Sequence, residues 1–186
     1  MNKYVAGCLA GLLLVAACKN EPRKKPSVEE VLKAAGNNPG MNAGSGNFEI
    51  DAPEGWNKTD TSVSNLKATL LMAPDTSRTF RANLNVITES MRGTSIDKYF
   101  DENVKALSTY MPQYGLVEKG EKEIGGLHSK YLHYYGQSPT GQAMEQVLYV
   151  IANNGVAYLI TTTSRRGNMA KDQSSFDIAL NSFKVH

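Results

Sequence analysis

Apolar residues fall into three patterns along the chain: one unbroken run at the start, several short alternating runs, and two stripes at helical spacing. The first run covers residues 4–15, follows Lys3 and ends at Leu14-Val15-Ala16-Ala17-Cys18. From Cys18 to residue 46 the chain is polar, with Pro22, Pro26 and Pro39 and a glycine- and asparagine-rich run over residues 36–46. Within this stretch Ser27-Val28-Glu29-Glu30 fits a capping box, in which Ser27 caps and Glu30 reaches back. Val28, Val31, Leu32 and Ala35 share one side until Gly36, so the spacing predicts a short helix there.

Alternation begins at Phe48-Glu49-Ile50-Asp51, a strand stopped by Ala52-Pro53-Glu54-Gly55, with Trp56 just beyond. A second apolar run covers residues 68–72. In the third, Ala82, Leu84 and Val86 alternate with Arg81, Asn83 and Asn85, the period of a half-buried strand. Thr94 or Ser95 then opens a helix in which Ile96, Tyr99, Phe100, Val104, Leu107 and Met111 recur until Pro112. Four more strands are predicted over 115–124, 127–135, 143–151 and 156–163, with tight turns at Gly125-Gly126 and at Asn153-Asn154-Gly155.

Val147, Tyr149 and Ile151 make one face of the third of these strands apolar, and Leu148 and Val150 do the same for the other. A strand apolar on both faces is buried on both, so the antiparallel sheet must be covered by helices on each side. Phe176, Ala179, Leu180 and Phe183 form an i, i+3, i+4, i+7 stripe that supplies part of this cover.

The opening run, with Ala16-Ala17 before Cys18 and Leu14 at the expected distance, reads as a secretory signal with a lipobox. With Ala16-Ala17 included it holds about 14 residues, against roughly 20 for a membrane-spanning helix. Residues 1–17 are therefore expected to be a lipoprotein signal peptide, Cys18 the lipidated residue, 18–46 a membrane tether and 47–186 one globular domain. Cys8 lies too early to follow a full apolar region. A flexible tether of about 28 residues has an r.m.s. span of about 30 Å, enough to hold the domain clear of the membrane. Lys19 stands where an aspartate would favour inner-membrane retention in enterobacterial-type sorting, which points to the outer membrane of a bacterial envelope.

Twenty basic and 18 acidic side chains give a formal charge of +2, and loss of Lys3 with the signal would leave +1, so charge implies no bulk partner. Lys19, Arg23, Lys24 and Lys25 cluster beside the anchor, where each contributes about 1 kcal/mol against anionic headgroups. Basic residues are not interleaved with aromatics, so nucleic acid is not expected. Without Cys8 and Cys18 the domain has no thiol, and about 140 residues suffice for a core of its own.

Candidate chemistry is sparse. His128 and His133 fall an odd number of residues apart in one strand and point to opposite faces, so no metal site and no cofactor are expected. No Gly-x-Ser-x-Gly elbow is present, and Asp101-Glu102 lies on the outward side of its helix. An enzyme is not expected. The aromatics carry more: Tyr131, Tyr134 and Tyr135 in one strand, with Trp56 near the first turn, are candidates for a protein-binding surface, although aromatics also favour strands for packing alone.

Several signatures together resemble the PsbP-like family, which includes photosystem II extrinsic proteins and bacterial DcrB-type and LpqN-type envelope lipoproteins. They are Asn47-Phe48-Glu49-Ile50 with Pro53-Glu54-Gly55-Trp56, Asn83-Leu84-Asn85-Val86, the helix with Tyr99, the Gly125-Gly126 turn, and Ser182-Phe183-Lys184-Val185. The resemblance implies an α+β fold, an α/β/α sandwich on a central antiparallel sheet, and a non-enzymatic accessory or adaptor role with an envelope protein as partner. Two other roles fit the same residues: an immunity or inhibitor lipoprotein that neutralises a toxin or envelope hydrolase, and a hydrolase with a triad assembled from distant residues.

Overall fold

The computed structural model describes residues 46–63, 66–74, 80–138 and 140–186. Cys18, the tether and the short helix expected within it lie outside these residues. The described elements are β1 (Phe48–Glu49), β2 (Asn57–Val63), β3 (Leu66–Met72), β4 (Asn83–Ser90), α1 (Ile96–Tyr110), β5 (Gly115–Ile124), β6 (Leu127–Gln137), β7 (Ala143–Asn153), β8 (Val156–Arg165), α2 (Met169–Ser182) and β9 (Lys184–Val185). Seven strands form one antiparallel sheet in the order β2-β3-β4-β8-β7-β6-β5, and β1 pairs with β9 in a separate two-stranded sheet. Among these residues no helix is long and apolar enough to cross a membrane.

Two cores lie on the two faces of the large sheet. Val147, Tyr149 and Ile151 of β7 join Leu84, Val86 and Ile160 beneath α2, which contributes Phe176, Ala179 and Leu180. Leu148 and Val150, the alternate residues, join Leu132, Tyr134 and Leu159 beneath α1, which contributes Tyr99, Phe100 and Leu107. The molecule is thus an α/β/α sandwich on an antiparallel sheet.

Local chemistry sets the boundaries. Ser95 caps α1, its side chain accepting from the Lys98 N–H at 3.4 Å, and Pro112 follows where the helix has ended. Gly125 (φ 56°) and Gly126 (φ 76°) turn β5 into β6, and Asn154 (φ 50°) and Gly155 (φ 76°) turn β7 into β8. Two-residue loops with positive φ at both positions match the right-handed twist of the strands they join.

Three elements differ from the sequence expectation. β2, Asn57–Val63, is a polar strand at the sheet edge, where one side has no strand neighbour among the described residues and alternation carries no signal. The strand at Phe48 belongs to the small sheet, because its partner is the chain end at Lys184-Val185. β4 is buried on both faces instead of half-buried: it lies between β3 and β8, and Asn83 and Asn85 are 3% and 2% exposed. Among the described residues Asn83 Oδ1, Asn85 Nδ2 and Gln146 Oε1 are buried without a hydrogen-bond partner.

Candidate binding face

Alternation along β6 divides the aromatic cluster. Tyr131, His133 and Tyr135 point to the α2 side, opposite Tyr149, Val147 and Glu145 of β7. Tyr134 points to the α1 side, is 3% exposed, and packs its ring 5.9 Å from that of Tyr114. Tyr134 is a core residue and leaves the candidate surface. Trp56 leaves it too. It is half-buried before β2, edge-on to Phe176 with ring centroids 5.8 Å apart, and β2 lies five strand steps from β6, about 24 Å along the sheet.

The remaining pair is held by glycines of β5. Register places Gly115 opposite Tyr135 and Gly120 opposite Tyr131. A Cβ on Gly120 would stand 3.1 Å from Tyr131 Cε1, and one on Gly115 would run into the Tyr135 ring. Each ring therefore lies across the neighbouring backbone, which shields the glycine and fixes the tyrosine. The Tyr131 ring also rests 6.2 Å from that of Tyr149.

Between the tyrosines, His133 Nε2 lies 2.8 Å from Glu145 Oε1, while Glu145 Oε2 accepts from the Gly167 N–H at 2.9 Å. One carboxylate thus joins β6, β7 and the turn into α2. That turn carries Arg166, whose guanidinium carbon sits 3.8 Å above the Tyr135 ring. Arg166 is itself exposed, so the stack is a surface feature with an aromatic floor and a charged upper side. Tyr110, Leu116 and Val117, each about half exposed, lie where α1 gives way to β5, and Leu116 pairs with Tyr134, not with Tyr135.

The Tyr131 and Tyr149 hydroxyls hold their protons more tightly than a free tyrosine. Burial raises the Tyr131 pKa, helped by the charge of Glu118 and a hydrogen bond to it. Burial pushes Tyr149 up to about 12, with Asp177, Tyr131 and Glu118 adding in the same direction. Between Tyr131 and Tyr135, the Nε2 of His133 is engaged by Glu145. The arrangement offers aromatic surface, hydroxyl donors and one cation, the chemistry of recognition. His128 lies exposed on the other face, with its Nε2 3.8 Å from Glu121, and no group of three or more metal-ligating side chains forms among the described residues.

The sequence points to Tyr131 and Tyr135, but not to His133, Glu145 and Arg166 as members of the same face; it offers His133 only as a ligand partner of His128. Parity is the signal that links them: Glu145 shares the phase of Val147 and Tyr149 on β7, as His133 does of Tyr131 and Tyr135 on β6. Arg166 carries no such signal, because it follows the last paired residue of β8.

The DcrB family model matches residues 47–182. Among solved structures, a protein of unknown function from Pseudomonas aeruginosa superposes with a TM-score of 0.55 at 12% identity, covering 67% of this chain and 94% of that one. A protein from Bacteroides thetaiotaomicron gives 0.51 at 16% identity, over 75% of this chain and 45% of the other. The cyanobacterial PsbP protein of Synechocystis gives 0.50 at 20% identity, over 75% and 86%. These likenesses establish a shared PsbP-like fold. No curated protein matches the chain.

Proposed function

The chain belongs to the DcrB family, and from that premise we propose that it is an accessory lipoprotein of the bacterial envelope, a non-enzymatic module that binds a protein partner. The observation that carries the binding role is the face built by Tyr131, Tyr135 and Arg166 over the His133–Glu145 pair. Tyr and Arg are enriched where protein interfaces concentrate their energy, because each presents a large rigid surface together with a polar group. Here the rotamer cost of binding is partly met beforehand, since β5 glycines hold the rings and Tyr135 supports the guanidinium.

The anchor is Cys18, which takes its lipid before residues 1–17 are removed. A membrane-held domain meets its partner at high effective concentration, so a contact of modest affinity suffices. The polar tether over residues 18–46 gives the reach, and Lys19 favours the outer membrane.

Two experiments test the two halves of this proposal. Cys18→Ala should leave unprocessed, unacylated precursor; normal acylation and anchoring of that variant would refute the lipid attachment. Crosslinking in intact cells followed by mass spectrometry should recover a stoichiometric protein partner. Recovery of nothing above the background set by another lipoprotein of similar abundance would refute the binding role.

A further inference from the structure

Strand β5 is an edge: it pairs with β6 on one side and with no described strand on the other, and residues 116–119 and 121–123 are exposed. Charges on edge strands ordinarily guard against pairing, because an incoming strand meets like charge or strips water from lysine. On β5 the charges are arranged otherwise. Glu118-Lys119-Gly120-Glu121-Lys122 reverses sign about Gly120, with Lys119 and Glu121 one residue from it and Glu118 and Lys122 two.

We propose that β5 pairs antiparallel with β5 of a second copy of this chain, about a two-fold axis through Gly120. An axis normal to a continuous sheet sets directly opposed residues on the same face, which restricts it to passing through a residue. Glu118, Gly120 and Lys122 share the α2 side, and Lys119 and Glu121 share the α1 side. With the axis at Gly120, Glu118 opposes Lys122 and Lys119 opposes Glu121, each pair formed twice and every one opposite in sign. Moving the axis to Glu118, Lys119, Glu121 or Lys122 sets that charge against itself. Opposite charges directly across two strands stabilise the pairing and like charges oppose it, so among axes through residues 118–122 the charges select Gly120.

Gly120 suits the axis. It sets no side chain against its own symmetry mate, and Tyr131 of each copy lies over its own Gly120, so two rings flank the axis on the α2 side. β5 follows β6 in regular register from Glu118 to Ile124, with an irregularity between Leu116 and Glu118 that ends the complementary stretch. Glu121 already lies 3.2 Å from Lys130, and Lys122 3.8 Å from Asp177. The second copy's Lys119 and Glu118 would extend those contacts into alternating networks.

This inference stands apart from the envelope role and its partner. Two differently tagged full-length copies, co-expressed and extracted together, should co-purify. Lys119→Glu with Lys122→Glu should lower co-purification about tenfold or more, and Glu118→Lys with Glu121→Lys should do the same, since either change sets like charges opposite one another. Co-expressing the all-acidic copy with the all-basic copy should restore pairing. Gly120→Cys should give a disulfide-linked dimer on mild oxidation, because opposed Cα atoms stand about 4.5–5.5 Å apart, and Glu123→Cys should not. Failure of wild-type copies to co-purify, indifference to either reversal, absence of restoration, or equal linkage at 120 and 123 would each overturn the proposal.

Discussion

At the scale of single residues, Glu89 shows how burial decides protonation. It is 6% exposed near the end of β4, and Tyr99 Oη donates a 2.5 Å hydrogen bond to its Oε2. Burial raises its pKa above the ordinary carboxylate value, against the smaller opposing effects of that hydrogen bond and of Arg92. The folded chain therefore binds this proton more tightly than the unfolded chain. Stability from this group is fully present below the unfolded carboxyl pKa and falls as pH rises toward the raised folded value. Glu89→Gln should remove that fall, measured by denaturant unfolding of both proteins from pH 4 to pH 8; parallel pH profiles would contradict it. The tyrosines of β6 give a second comparison. Tyr134→Ala should cost about 3 kcal/mol as a core truncation, and Tyr131→Ala about 1 kcal/mol as a half-buried one. Equal losses in the same unfolding measurement would show that Tyr131 is core as well.

At the scale of elements, the β5–β6 turn joins the large sheet to the end of the chain. A Cβ on Gly125 would collide with the Phe183 carbonyl oxygen, while one on Gly126 would meet nothing within 4 Å. Both residues have positive φ, so Gly126→Ala should cost about 1 kcal/mol from backbone strain alone. Gly125→Ala should cost about 2 kcal/mol or more and loosen the β1–β9 pair, seen as faster amide exchange at His186, whose N–H donates to the Asn47 carbonyl at 3.1 Å. Equal cost at the two glycines would contradict the contact. Elements of this kind also mark how far the sequence is legible. α1, the strands from β5 to β8 and the two-sided burial of β7 are readable because period, caps and turn residues act within a few residues of one another. β2 and the pairing of β1 with β9 are not readable: alternation marks the strand at Phe48, but local periodicity does not contain its partner Lys184-Val185. Asn83 and Asn85 misled for the same reason: their polarity signals water, and only the position of β4 between β3 and β8 buries them. For the binding face, the sequence held the tyrosines and their phase, whereas Arg166 enters through the turn that leads into α2.

At the scale of the whole molecule, the two faces of the sheet have different tasks. Tyr134 is closed into the core on the α1 side, whereas on the α2 side Tyr131 and Tyr135 stay partly exposed and Arg166 exposed. A domain held at a membrane through Cys18 would meet a partner with that face, and a second copy along the β5 edge beside it. The central claim is that the face binds a protein, and a photoreactive residue placed at position 135 of the full-length chain in living cells tests it directly. Position 178 on α2, where Ile178 is 57% exposed, serves as the exposed control. One discrete heterologous adduct is expected at 135 and none at 178. The same diffuse background at both positions would contradict it.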